Sequence, residues 1–144
     1  MSASACLFCE IVAGTRPAHV VLDTADVLAF LDVRPVFPGH CLVVPRVHVE
    51  TLTELPEASL GTLFAAVQRV ARAVQGGMEA HGSFVAVNNR VSQSVPHLHV
   101  HVVPRRFKDG LRGFFWPRTK YEHDDHASET AAKVRAAVAE LTGG

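Results

Sequence analysis

The sequence predicts an α+β fold in which one long helix lies across an antiparallel sheet. Between residues 56 and 75 the apolar side chains recur every three or four positions, which indicates an amphipathic helix. Most other apolar runs are short and are separated by turn residues, which is typical of strands in an antiparallel sheet. The segment 97–102 alternates histidine with leucine or valine, which is the period-two pattern of a strand.

The first half of the chain contains a short helix and three strands. Apolar residues favour a helical turn or two over 7–13, which ends at Gly14 because glycine readily adopts the left-handed angles of a helix terminus. Strand-like runs follow at 20–22, 27–31 and 41–44, and the polar stretch between the first two suits a hairpin turn.

The second half contains the long helix, two strands and a shorter helix. Gly76 and Gly77 end the long helix, and strands are expected at 84–87 and 98–103. A C-terminal helix should start near Ser128, with one apolar stripe formed by Val134, Val138 and Leu141. With one long helix available, we expect the sheet to be covered on one face.

Composition limits the classes of function. The chain has 144 residues, which suits a single domain, and its 14 basic and 14 acidic side chains cancel. A zero net charge gives no reason to expect a nucleic-acid polymer or an anionic membrane as partner. We expect a cytoplasmic protein, since no apolar run reaches membrane-spanning length and the first residues lack a leader pattern.

The alternating segment places three imidazoles on one face of its strand. His97, His99 and His101 point one way, while the leucine and valines between them point towards the core. Histidines that merely line a solvated face are one interpretation, although threonine, lysine or glutamate is commoner there. Neutral imidazole is a nucleophile, a proton carrier and a metal ligand near neutral pH, so we expect chemistry at this face.

The segment His97-Leu98-His99-Val100-His101-Val102-Val103 resembles the signature of the histidine triad (HIT) superfamily of nucleotide hydrolases and transferases. Stretches at 6–9, 30–33, 38–45 and 93–95 carry the same resemblance in the same order. It implies a HIT-like fold: a five-stranded antiparallel sheet, one long helix, shorter N- and C-terminal helices, and a homodimer. We expect a single domain over 1–144, with a core at about 6–105 and a basic, aromatic segment and the C-terminal helix over 106–144.

The resemblance also implies a reaction. His99 would attack the α-phosphate of an adenosine 5′-phosphate derivative and form a covalent nucleotidyl-histidine, cleaving a phosphoramidate, phosphoester or phosphoanhydride bond. His101 would contact the phosphate and protonate the leaving group, and His97 and His40 complete the histidine set. No organic cofactor is needed. Alternatives are a dinucleoside polyphosphate hydrolase and a non-catalytic nucleotide-binding interaction module.

The nucleoside and phosphate positions follow from the same resemblance. Asp32 matches a carboxylate that accepts both ribose hydroxyls, whereas the residues that would enclose the base could equally be ordinary core. Those apolar residues are Leu7, Phe8, Ile11, Phe30 and Val33. Gln93 and Ser94 would donate to the phosphate and Asn88 would contact the ribose-phosphate side, unless this stretch is only a polar connection.

Ser92 departs from the family pattern, because relatives usually have glycine there. We expect the backbone angle that glycine permits to be lost at this position.

Cys6 and Cys9 form a Cys-x-x-Cys pair that suits a metal or free thiols better than a secreted disulfide framework. The resemblance implies a structural zinc ion held by these two cysteines with His48 and His97. The alternative is two buried thiols with His48 on the surface.

The segment 105–120 is basic and aromatic, and three interpretations stay open for it. It could be a solvated loop, it could hold the distal phosphates of a dinucleoside polyphosphate, or its aromatic residues could pack on a partner subunit. Trp116-Pro117 resembles a Trp-Pro pair of the nucleotide-binding branch of the family.

Overall fold

The computed structural model of the chain describes residues 5–112 and 118–142. It divides into two compact units, one ending at Asp109 and the other beginning at Gly110. Within the described residues, no helix combines the length and the apolar character that crossing a membrane requires.

The first unit contains a five-stranded antiparallel sheet and two helices, which confirms the predicted fold class. The elements, in chain order, are α1 (Leu7–Ala13), β1 (Val20–Asp23), β2 (Val27–Leu31), β3 (Cys41–Pro45), a 3-10 turn (Leu52–Glu54), α2 (Glu57–Gly77), β4 (Gly82–Ala86) and β5 (Val100–Arg105). The strand order is β1-β2-β3-β5-β4, so that β5 lies between β3 and β4.

The long helix α2 packs on one face of this sheet. Its buried residues Leu63, Val67, Val70 and Val74 share one apolar cluster with alternate residues of β2, β3 and β5. That half of the core forms because the apolar period of α2 matches the period-two pattern of the strands beneath it.

The expectation that only one face of the sheet is covered needs correction. A second apolar cluster on the opposite face joins Phe8 of α1 to residues of β2 and β3 such as Phe30 and Leu42. Both strands are near-continuous apolar runs, and strands of this kind are buried on both faces. The histidine face is therefore an interior surface, closed partly by α1.

The histidine strand has the predicted length but lies two residues further along the chain than predicted, and its two faces are as expected. β5 begins at Val100, because the Leu98 N–H donates to the Val49 carbonyl at 2.7 Å and not to a neighbouring strand. Leu98, Val100 and Val102 still belong to the cluster under α2.

The second unit contains α3 (Asp124–Thr142), which begins four residues before the predicted start. The predicted stripe is exposed: Val134 keeps 60% of its surface accessible, Val138 51% and Leu141 84%. Trp116 and Pro117 lie outside the described residues.

Candidate active site and metal cluster

A cleft of about 540 Å³ opens beside the histidines, between α1, β2 and the loop that precedes β5. Most of the predicted nucleotide-binding residues line it, together with two of the predicted catalytic histidines. They are Leu7, Phe8, Ile11, Phe30, Asp32, Val33, Ser94, His99 and His101. Four further predicted site residues, Asn88, Gln93, His40 and His97, do not line this cleft.

His99 is 3% exposed, and a backbone carbonyl fixes its tautomer. Its Nδ1 lies 2.8 Å from the His97 carbonyl oxygen, which can only accept a hydrogen bond. Nδ1 therefore carries the proton, and Nε2 keeps a free lone pair. Burial lowers the pKa of His99, so that the imidazole stays neutral at neutral pH. The edge-to-face contact with Phe8, at 5.1 Å between ring centroids, holds the ring in place.

His101 and His40 form a directed hydrogen-bond chain. The Val36 N–H donates to His40 Nδ1 at 3.1 Å, so the proton of neutral His40 is on Nε2. That N–H donates to His101 Nδ1 at 3.0 Å, and the remaining proton of neutral His101 is therefore on its Nε2. Burial, with smaller contributions from His99 and His40, lowers the pKa of His101 to about 4.

Asp32 lines the cleft and also lies next to the hydrogen-bonded pair of His40 and His101. Its Oδ1 accepts the Arg34 N–H at 2.8 Å, and its Oδ2 lies 3.6 Å from His40 Nε2. Asp32, His40 and His101 are close enough together to suggest a metal site. The tautomer of His40 argues against it, because a proton and not a lone pair points into the group.

The loop before β5 keeps the glycine-type angle although it has no glycine. Ser92 has φ of 61° and Arg90 has φ of 70°, so the expectation that Ser92 loses this angle is wrong. Side chains clamp the loop in this strained shape. The Gln93 amide accepts the Arg90 N–H at 2.8 Å and donates to the Glu50 carbonyl at 2.6 Å, while the Asn88 amide donates to the Ser92 carbonyl.

A second cluster lies next to the first and joins α1 to the histidine segment. It consists of Cys6, Cys9, His48 and His97, whose potential ligand atoms all lie within 4.8 Å of one another. His97 Nδ1 lies 3.4 Å from Cys6 Sγ, 3.5 Å from Cys9 Sγ and 3.2 Å from His48 Nδ1. The set contains two sulfur and two nitrogen donors, and tetrahedral zinc holds sulfur and nitrogen ligands about 3.5 Å apart.

The surroundings of this cluster also fit a cation. His97 Nε2 donates to the Pro45 carbonyl at 2.9 Å, so its Nδ1 lone pair faces the other three donors. Burial and the neighbouring Cys6 raise the pKa of Cys9 to about 11, so without a cation Cys9 would remain a thiol. A bound divalent cation would favour both thiolates and bring all four donors to the same centre.

A HIT domain family model matches residues 13–108. The chain belongs to the HIT family. It is 36% identical over 136 residues to "Protein hit" of Bacillus subtilis, covering 93% of this chain and 92% of that protein. It is 35% identical over 113 residues to adenosine 5′-monophosphoramidase hnt1 of Schizosaccharomyces pombe, covering 78% of this chain and 83% of that protein.

The solved structures similar to this HIT protein include one that contains zinc. The crystal structure of a Zn-bound histidine triad family protein from Mycobacterium smegmatis superposes with a TM-score of 0.72 at 36% identity, covering 99% of each chain. The family match and these relatives show that this HIT protein is related to hydrolases. Its own cysteine–histidine cluster could hold a metal ion.

Two arginines in the cleft of this HIT protein were not identified from the sequence. Arg16 and Arg34 both line the cleft. Arg34 lies two residues after Asp32, and this short distance along the sequence could have indicated that it lines the same cleft. By contrast, Arg105 is bound to Asp109 and Arg106 donates to the Met78 carbonyl, which disfavours the interpretation that these two residues hold distal phosphates.

Proposed function

We propose that this HIT protein hydrolyses or transfers the nucleotidyl group of an adenosine 5′-phosphate derivative through a covalent bond to His99. The observation that carries the proposal is the contact of His99 Nδ1 with the His97 carbonyl, which leaves Nε2 as a nucleophile in the cleft. The resemblance to an adenosine 5′-monophosphoramidase supports the substrate class.

In the first step, His99 Nε2 bonds to the α-phosphorus and the bond to the leaving group breaks. The charged form of His101 gives its Nε2 proton to the leaving group and returns to the neutral tautomer that accepts from His40. The anionic phosphate favours the charged form of His101, so substrate binding raises the low pKa of the free protein. In the second step, water or another acceptor displaces His99 from phosphorus and passes its proton to the neutral His101.

The remaining cleft residues bind the nucleoside in this proposal. The base would lie against Phe8, Ile11 and Phe30, and the Oδ2 of Asp32 would accept ribose hydroxyls. Ser94 would donate to the phosphate, whereas Gln93 and Asn88 act through the shape of the loop because their side chains bind backbone groups.

The test is AMP release from adenosine 5′-phosphoramidate by the wild-type protein and by His99→Ala. We expect the variant to lose activity by about a thousandfold, and the wild type to give a trapped adenylyl adduct by mass spectrometry. His19→Gln removes an exposed histidine outside the cleft and serves as the control. AMP binding without turnover would instead support a nucleotide-binding module.

We also propose that Cys6, Cys9, His48 and His97 hold one structural zinc ion. Four protein ligands close the coordination shell, so the ion would hold α1 and its Phe8 against the catalytic segment. The zinc-bound relative from Mycobacterium smegmatis supports the metal.

Metal analysis of the purified protein tests the zinc proposal. We expect one zinc per chain in the wild type and almost none in Cys9→Ser, which should also bind AMP more weakly because α1 is loosened. Cys41→Ser is the matched control, since Cys41 is buried outside the cluster. Wild-type protein purified without zinc at neutral pH would contradict the proposal.

The homodimer, the cytoplasmic location and the extent of the domain stay predictions. A sedimentation experiment that gives only monomer would contradict the first of them.

A further inference from the structure

The cleft has little positive charge where a phosphate would bind. His99 and His101 line it, and their hydrogen bonds suit neutral rings: His99 Nδ1 donates to the His97 carbonyl, and His101 Nδ1 accepts from His40 Nε2. Asp32 adds a negative charge beside the histidine pair. A phosphate bound there receives hydrogen bonds from neutral groups, but these groups do not compensate its charge.

Two arginines line the same cleft, and only one of them has an acidic partner. Arg16 Nε lies 2.9 Å from Glu10 Oε2, so its charge is already compensated. In the described part of the chain, the Arg34 guanidinium has neither an ion pair nor a hydrogen bond. Arg34 makes its polar contact through the backbone N–H, which donates to Asp32 Oδ1.

The backbone of Arg34 is held near the reacting groups by a short series of contacts. Asp32 Oδ1 accepts its N–H, and the second oxygen of the same carboxylate lies 3.6 Å from His40 Nε2, which contacts His101. Arg34 also lines the cleft that His99 and His101 line. The planar guanidinium pairs with phosphate through two parallel hydrogen bonds.

We propose that Arg34 binds the anionic leaving group of a nucleotide substrate and thereby favours dinucleoside polyphosphates over substrates whose leaving group has no charge. This inference rests on the proposed function and names the residue that would set the preference between two classes of nucleotide substrate. Among the cleft-lining residues that the structure describes, Arg34 is the cation without a partner.

The test compares kcat/KM for diadenosine tetraphosphate with kcat/KM for adenosine 5′-phosphoramidate. In Arg34→Gln we expect the ratio of the two values to fall about tenfold, because a charge-assisted pair is lost for one substrate only. Arg34→Lys keeps the charge but not the fork and should restore part of the ratio. Arg16→Gln removes the same charge from the same cleft and should change both substrates by one common factor.

Binding of diadenosine tetraphosphate to His99→Ala, with and without Arg34→Gln, separates this inference from the proposed function. If the wild type cleaves neither substrate but Arg34→Gln still weakens binding about tenfold, the anion site stands and the hydrolase assignment fails. If turnover occurs and Arg34→Gln leaves the ratio unchanged, the function stands and the role of Arg34 is overturned. An equal fall of the ratio in Arg16→Gln would also overturn it.

Discussion

At the scale of single residues, backbone groups decide what each histidine can do. Three imidazoles of similar chemistry receive different proton positions because their partners differ. The His97 carbonyl leaves His99 with a free Nε2, the Val36 N–H makes His40 a donor from Nε2, and the Pro45 carbonyl turns the lone pair of His97 towards the cysteines. A carbonyl can only accept and an N–H can only donate, so these assignments need no observed hydrogen atoms.

The lowered pKa values predict an unusual pH profile. Burial keeps the nucleophile His99 neutral, and His101 must gain the proton that it gives to the leaving group, so kcat/KM should not fall as the pH decreases from about 8 to about 5.5. A diadenosine polyphosphate is the suitable substrate, since its internal phosphates do not titrate in this range. A decline centred near the ordinary histidine value of 6.5 would contradict the prediction.

At the scale of elements, the cleft is formed by α1 and the loop before β5 together with strands of the sheet. α1 brings Phe8 to His99 and contains Cys9, and Cys6 is its N-cap, so the cleft and the cysteine–histidine cluster share one short segment of the chain. The loop holds Ser94 at the cleft while two of its residues, Arg90 and Ser92, keep positive φ angles. Bonds from Gln93 offset the strain of those angles.

Replacing Ser92 by glycine tests that strain. Ser92→Gly should raise the free energy of unfolding by up to about 1 kcal/mol, since a left-handed angle costs a residue with a Cβ more than glycine. Urea unfolding measures the change. Ser83→Gly is the control, because Ser83 lies in β4 and has no positive φ. This variant should lower the free energy of unfolding. If both variants raised it, loop strain would not be the cause.

Local patterns of the sequence were sufficient to predict the helices and strands, but not to predict which other residues pack against them. The period of α2 and the alternation at 97–102 predicted both segments because each pattern is a property of one element. The second apolar cluster was not predicted, since burial of Phe30 and Leu42 depends on α1 packing from a distant part of the chain. The clamping role of Gln93 depends on the Glu50 carbonyl, which no local pattern indicates.

At the scale of the whole molecule, the first unit buries an unusual set of polar side chains between its layers. His40 is 4% exposed, His97 0% and His99 3%, and all three lie on the face opposite α2. The hydrogen bonds described above satisfy them as neutral groups, and none of the buried side-chain nitrogen or oxygen atoms among the described residues lacks a partner. The stability of the fold is therefore linked to keeping these imidazoles uncharged.

This linkage predicts that the protein loses stability in mild acid. The pKa values of His40, His99 and His101 are lowered in the folded state, so below the ordinary value of 6.5 the unfolded chain binds more protons. The free energy of unfolding should be greatest above that value and decrease as the pH falls towards 4, with about 3 kcal/mol from His101 alone. Urea titrations at about pH 7 and about pH 5 measure the slope. His101→Gln should reduce the slope of stability against pH, whereas His19→Gln, at an exposed position, should leave the slope unchanged. Equal slopes in the wild type and both variants would show that burial of His101 does not control acid stability.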